Sequence, residues 1–259
     1  MDEHDVDRVA ARAPEAVTPD APALRGPVLM NQHWRDLTFL HWAVEPELVA
    51  DRMPPGVRPD TLDGRTYVGL IPFRMVDASP FRLPGTPWLG TFLETNVRLY
   101  SVDDTGRRGI VFLSLDADRL AVVLGARAAF NVPYRWSRMR HRRDGDVHTY
   151  ASRLRWPGAR GASRIVVRAG ARREPTGLDH FLSARWGLHT PVLGRTLYVP
   201  NQHDPWPVHD AEVVELDDGL MASVGLPGLA ERPPDHVGFS PGVFTEFGFP
   251  GDARRPRRT

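Results

Sequence analysis

The chain has 259 residues, 33 basic and 32 acidic side chains, a net charge of +1 and an apolar fraction of 41%. That is enough for a sizeable core, and the balanced charge provides no field to draw in nucleic acid or an anionic membrane. Every basic residue is arginine and cysteine is absent, so neither Schiff-base chemistry on a side-chain amine nor thiolate chemistry is open to it.

Residues 1–25 are rich in Ala, Pro, Asp and Arg without apolar periodicity, and 251–259 is a short basic tail. Both are expected to be disordered, leaving 26–250 as a single domain without repeats or a long linker. The first residues, Met1 to Asp7, are acidic where a signal peptide would be basic. No apolar run approaches the ~20 residues that span a bilayer, so a cytoplasmic protein is expected.

Along the chain, Pro46 to Met53 has proline in its first turn and reads as a short helix stopped by Pro54-Pro-Gly56. Strands are expected at Tyr67–Phe73, Glu94–Tyr100 and Gly109–Leu115, where β-branched and apolar residues cluster between turn signals. Leu120–Phe130 is apolar for most of its length and predicts a buried helix. Further strands follow at Tyr134–Arg140, Val147–Leu154, Ile165–Ala169 and Ala211–Leu216. A helix over Leu178–Trp186 carries an apolar stripe at i, i+3, i+4 spacing. Asp103-Asp-Thr-Gly106 and Arg143-Asp-Gly145 have hairpin-turn composition, so the sheet is expected to be largely antiparallel.

Several side chains are candidates for chemistry. Glu94 and Arg98 lie four residues apart on one strand and share a face, either as an ion pair or with Glu94 buried as a proton donor or acceptor. Arg127, inside an apolar run, requires a carboxylate such as Asp116 or Asp118, or a ligand anion. His41, between Leu40 and Trp42, faces either the interior of the fold or a core partner. His203-Asp-Pro-Trp-Pro-Val-His209 gathers two histidines and an aspartate, but its spacing matches no zinc signature, so no metal is expected and a backbone-bonded imidazole is the better reading. Arg138-Met-Arg-His-Arg-Arg143 reads as a solvated basic edge. Nucleophile-elbow, phosphate-loop and dinucleotide motifs are missing, and no cofactor is expected.

The segments Trp34-Arg-Asp-Leu-Thr-Phe-Leu-His-Trp42, Glu94-Thr-Asn-Val-Arg-Leu-Tyr100, Gly125-Ala-Arg127 with Val132-Pro-Tyr134, and His203-Asp-Pro-Trp-Pro207 occur in one order. As a set they resemble the YqjF-like family of uncharacterised bacterial proteins, over about residues 28–250. That family is similar to the acetoacetate decarboxylase superfamily. The resemblance implies a mainly β (α+β) fold, a closed, bent antiparallel β-barrel with a buried pocket and a few flanking helices.

In the decarboxylases one lysine forms a Schiff base, a second lowers its pKa, and an arginine and a glutamate share the pocket. By this resemblance Arg35 corresponds to the pocket arginine and Glu94 to the pocket glutamate, while the lysine pair falls on Tyr134 and Arg135 after Pro133. A phenol forms no imine and a guanidinium stays protonated, so the superfamily's decarboxylation is chemically closed here. Lysine's absence itself fits a GC-rich coding bias. The expectation is a pocket for a small carboxylate or keto-acid-like ligand, with Glu94 and Tyr134 as the reactive pair. Arg35, Arg98, Arg127, Arg135, His41 and His203 are the candidate substrate-binding residues. A non-Schiff-base lyase, hydratase or isomerase, a non-catalytic carrier or sensor, and an interaction module with a filled pocket are the functions compatible with this pattern. The expected partner is a small molecule, with no nucleic acid and no membrane. Assembly into a homo-oligomer is compatible with the sequence.

Overall fold

Each apolar run expected to be a strand lies within one in the computed structural model, which describes residues 12–253. The strands are β1 (Val28–Val44), β2 (Val57–Pro59), β3 (Thr66–Pro80), β4 (Phe92–Asp103), β5 (Arg108–Ala117), β6 (Tyr134–Asp144), β7 (Val147–Leu154), β8 (Ala162–Arg172), β9 (Gly187–Val192), β10 (Arg195–His203), β11 (His209–Asp218), β12 (His236–Gly248) and β13 (Gly251–Asp252). Four short helices interrupt them: α1 (Glu47–Ala50), α2 (Leu120–Phe130), α3 (Gly177–Ser183) and α4 (Leu220–Ser223). α3 starts with a reciprocal cap in which Thr176 and Asp179 satisfy each other's backbone N–H groups.

The order β12-β1-β3-β4-β5 is a continuous antiparallel wall. It closes on itself twice. One circuit runs from β5 through β6, β7, β8 and β11 back to β12, entered by a parallel β5–β6 pairing. The other runs from β5 through β9 and β10 to the far end of β12, entered by a parallel pairing of Ile110 with Leu188. Mainly β, closed and bent, this is the architecture that the resemblance implies, with two parallel pairings in an otherwise antiparallel sheet.

The two enclosed spaces differ. Side chains from β1, β3, β4, β5, β7 and β8, among them Leu40, Trp42, Val68, Leu70, Val97, Leu99, Tyr150 and Ile165, pack the first circuit solid. Within the second, Tyr67, Tyr100, Ile110, Phe181, Leu188 and Val199 form a smaller cluster that leaves a cavity beside it. β4 serves both, because successive strand residues point to opposite faces. Val97 and Leu99 enter the packed side, while Glu94, Asn96 and Arg98 line the cavity. A register shift opposite Val97 and Arg98 leaves Leu113 of β5 as the extra residue, so the alternation of β4 itself is undisturbed.

β1 bends between its pairings at Arg35 and Leu40, where Asp36 has φ 54°. Opposite it, Gly242 has φ 124°, and a Cβ there would lie 1.8 Å from the Trp34 carbonyl oxygen. Only glycine permits that approach of β12 to β1.

Three expectations need correction. Residues 12–25 lack regular secondary structure but are not free: Arg12 N–H donates to Asp104 O (3.0 Å), Glu15 N–H to Gly106 O (2.8 Å), Leu24 N–H to Gln202 Oε1 (2.9 Å), and Trp186 Nε1 donates to Thr18 O (3.2 Å). Likewise Gly251 and Asp252 pair with β10 rather than starting a loose tail; residues 1–11 and 254–259 lie outside the described residues. Finally, α2 has the expected bounds but is not buried throughout, since Leu120 and Leu124 are exposed while Val122, Val123 and Ala126 turn inward. Among the described residues, no helix is long and apolar enough to cross a membrane.

Tyr134 and Arg135, neighbours on β6, separate to opposite faces. Arg135 makes a buried bidentate pair with Asp116 (Nε–Oδ1 2.6 Å, Nη2–Oδ2 2.8 Å), whereas the side chain of Arg35 is exposed and has no bonding partner among the described residues. Arg135→Ala strands the Asp116 carboxylate in the interior and is expected to cost about 3–5 kcal/mol in urea unfolding. Arg35→Ala is expected to stay within about 0.5 kcal/mol of the parent.

Candidate ligand-binding cavity

The cavity has a volume of about 590 Å³. β3 contributes Ile71, Phe73 and Met75, β5 contributes Ile110, Phe112 and Leu115, and Leu188, Val199 and Phe247 close the far side. α2 covers it with Val122 and Ala126. Phe81 and Leu89 line it and are also exposed to solvent, so the segment 81–91 is its rim. Against these apolar walls, the even-numbered face of β4 presents Glu94, Asn96 and Arg98 in a row.

Glu94 is 2% exposed, and its Oε2 accepts a hydrogen bond from the Tyr134 hydroxyl at 2.8 Å. Burial pushes its pKa up to about 7, partly opposed by hydrogen bonds from Tyr134 and Asn96 and reinforced by Asp116. Near neutral pH it therefore exchanges a proton readily. Tyr134, held neutral by burial and by the glutamate, has its pKa raised well above the ordinary value. The phenol thus acts as a fixed donor.

Arg98 is the cation of the cavity. Its Nε donates to Tyr100 Oη (3.2 Å), its Nη2 donates to Leu182 O (3.3 Å), and its guanidinium lies 5.9 Å from the Phe39 ring centroid and 5.6 Å from that of Tyr100. Among the described residues no carboxylate bonds to it. Of the two arrangements open to Glu94 and Arg98, the ion pair is not formed and Glu94 is buried instead. A half-buried guanidinium without a counter-anion is a ready seat for a ligand carboxylate or a developing oxyanion.

Behind Arg98 runs a buried polar chain. Tyr100 Oη meets His41 Nε2 at 2.6 Å, His41 Nδ1 meets His236 Nδ1 at 3.0 Å, and His236 Nε2 meets Asp179 Oδ1 at 2.9 Å. His41 is fully buried, and burial, with His236 and Arg98 adding to it and Asp179 opposing, holds its pKa well below the ordinary histidine value. Burial opposes ionisation of Asp179, but bonds from His236, Arg173 and Thr176 outweigh it and keep this carboxyl far below the usual range. A neutral His41 lets every link point one way: Tyr100 donates to His41, His41 to His236 and His236 to Asp179. His41 is therefore a support behind the cavity wall, not a wall residue.

The other expected residues disperse. Arg35 is exposed on the face of β1 opposite Trp34, and it is Trp34 that lines the cavity. Arg127 is exposed on α2, donates to Tyr134 O (2.9 Å) and lies 4.7 Å from the Trp156 ring, so neither Asp116 nor Asp118 is its partner. Arg119 pairs with Asp118, and Arg135 faces Asp116 in the packed circuit. His203 sits behind the wall among Trp34, Trp186 and Trp206, its Nδ1 2.7 Å from Asp204 O. His209 Nδ1 lies 3.0 Å from Gly170 O, on β8. Of the candidates, Glu94, Tyr134 and Arg98 meet around one space.

Sequence reasoning did not single out Asn96, Trp34, Tyr100, His236 or Asp179. Asn96 was within reach, lying between Glu94 and Arg98 at strand spacing. Among the described residues Asn96 Oδ1 and Trp34 Nε1 have no hydrogen-bond partner, and both residues line the cavity, leaving one acceptor and one donor for a ligand.

The raised pKa of Glu94 has a sign for stability. Its protonated form is favoured by folding, so this contribution is complete below about 4.5 and is lost as the pH rises through about 7. At about 1.4 kcal/mol per pH unit, the interval is worth up to ~3 kcal/mol. Glu94→Gln is expected to unfold close to the parent at pH 4.5 and to be more stable by up to that amount at pH 8. Thermal melts across that range check it, and a pH-independent difference would refute the burial of an ionisable Glu94.

The chain is 33% identical over 186 residues to the uncharacterized protein YqjF of Bacillus subtilis, a match covering 71% of this chain and 76% of the other. Its fold is similar to those of solved structures at 12–15% identity. The enduracididine biosynthesis enzyme MppR, complexed with the condensation product of pyruvate and imidazole 4-carboxaldehyde, aligns with a TM-score of 0.58 at 15% identity over 89% of this chain and 91% of that one. Acetoacetate decarboxylase from Legionella pneumophila aligns with a TM-score of 0.56 at 14% identity over 89% and 92%. An acetoacetate decarboxylase-like enzyme from Sphingomonas wittichii RW1 gives 0.59 at 12% identity over 89% and 94%. These likenesses carry the fold. The model of DUF2071, uncharacterized conserved protein, matches residues 31–244, and the chain belongs to that family.

Proposed function

We propose that the cavity binds a small carboxylate or keto-acid-like ligand, with Arg98 as the anion seat and the Glu94–Tyr134 pair beside the reacting carbon. The observation that carries this reading is the pairing, within one apolar cavity, of an arginine without a counter-anion and a glutamate with a pKa of about 7. Arg98 takes the role expected of Arg35. MppR, similar in fold, is known in complex with pyruvate, which supports a keto acid as the type of ligand this scaffold accommodates.

In an enzymatic version, ionised Glu94 removes a proton from the carbon next to the carbonyl, and the electron pair moves onto the carbonyl oxygen as an enolate. Arg98 stabilises that oxygen, Tyr134 remains a hydrogen-bond donor, and protonated Glu94 returns the proton at the same or a neighbouring carbon. No bond to the protein forms, as suits a lyase, hydratase or isomerase without a covalent intermediate. A second reading, a non-catalytic carrier or sensor, is favoured by how few polar groups face the cavity. An interaction module with a filled pocket fits poorly, since the cavity is open.

Calorimetric titration with pyruvate and acetoacetate tests the reading. Arg98→Gln is expected to weaken binding tenfold or more, the loss typical of a charge-assisted bond. Proton exchange at the α-carbon, followed by NMR in D₂O, is expected to rise as the pH passes through about 7, where Glu94 becomes a base. It is expected to fall 10²-fold or more in Glu94→Gln with binding retained. Binding by the parent without any proton exchange would support the carrier instead, and unchanged binding in Arg98→Gln would overturn the anion seat.

A further inference from the structure

The geometry points to a substrate class larger than the short keto acids: an amphiphilic carboxylate whose acid group lies on Arg98 and whose apolar body fills the rest of the cavity. This rests on the carboxylate reading above and extends it.

Size is the first reason. A cavity of ~150 Å³ holds benzene, with its six carbons. At that packing, about 590 Å³ has room for roughly twenty non-hydrogen atoms. Pyruvate, with its six non-hydrogen atoms, would leave most of the space unfilled. The unfilled part is walled by Ile71, Phe73, Met75, Phe92, Leu115 and Val122, which give a small acid no hydrogen bonds.

The distribution of polarity is the second. Glu94, Asn96 and Arg98 all belong to one face of β4 with Tyr134 against Glu94, so the charged groups lie along one edge, while the rest of the lining is mostly apolar, with Gln32, Ser79, Thr86 and two tryptophans as its polar members. From Phe92 to Arg98 that face runs ~20 Å at strand spacing. Arg98 is at the inner end, next to Ile110, Leu188 and Val199, and Phe92 is toward the rim. A chain anchored by its carboxylate at Arg98 therefore extends past Glu94 toward the rim.

The third reason is the rim. Phe81, Leu83, Trp88 and Leu89 are exposed on the segment that borders the opening, and exposed Phe249 stacks on Phe81 at 6.4 Å. An aromatic and aliphatic entrance suits an apolar ligand rather than a fully hydrated one.

Titration of the full-length protein with straight-chain carboxylates from butanoate to tetradecanoate, each below its micellar concentration, tests this class. Trp34 and Trp206, both lining the cavity, report binding by fluorescence. Affinity is expected to rise about fourfold per added methylene and then level off once the cavity is full. Ala126→Phe, which fills space from α2, is expected to bring that levelling to shorter chains, lowering the affinity of tetradecanoate more than that of hexanoate. Decanol is expected to bind at least tenfold more weakly than decanoate, with the difference abolished in Arg98→Gln. Short acids that bind through Arg98 with no gain from chain length would overturn the amphiphile and keep the carboxylate seat. Decanol binding as well as decanoate would overturn the acidic class. Absence of binding at every length would overturn both readings.

Discussion

β4 has no solvent face along its central residues. A strand alternates its side chains strictly, and here one set must fill a packed lumen while the other walls a hollow one. Val97 and Leu99 satisfy the first demand. The second set can carry polar groups only if each is held by a neighbour, and the rest of the structure follows from how that is done. Tyr134 bonds Glu94, and Tyr100 and Leu182 hold Arg98. The one register irregularity between β4 and β5 is absorbed on β5 at Leu113. A skipped residue on β4 would have turned Arg98 into the packed lumen.

The same logic separates Tyr134 from Arg135. Two adjacent positions that resemblance places together at a lysine pair become functionally unrelated: one reaches the cavity, while the other neutralises Asp116 on the opposite side of the sheet. The position of the side chain on the pleat, more than its place in a motif, decides its environment. The absence of lysine removes side-chain imine chemistry, yet the acid–base half of a carbonyl site remains possible. It is the elevated pKa of a glutamate in apolar surroundings that keeps it so.

How much of this was legible in the sequence depends on range. Strands with regular apolar alternation, such as Val147–Leu154, were readable to the residue, and the hairpins at Asp103–Gly106 and Arg143–Gly145 followed from turn chemistry. β1, the longest strand, was not recognised as one. One half is buried on both sides, and the bend at Asp36 breaks its period. That bend also hid the parity of Arg35. β10 and β12 each carry a proline, Pro200 and Pro241, which mutes the strand signal. Glu94 and Arg98 could be placed on one face because they lie only four positions apart. His41 and His236 are brought together solely by the pairing of β1 with β12, a register contact between the start of the fold and its end. No local pattern announces such a pair.

The shared wall also divides the labour of change. β9, β10, α2 and the 81–91 segment enclose the hollow lumen but contribute nothing to the cluster that packs the other. Substitutions on these elements can reshape what the cavity admits while the solid lumen goes on holding the sheet closed. The shape of the cavity and the closure of the sheet are thereby written into different parts of the chain, so that one can be altered without renegotiating the other.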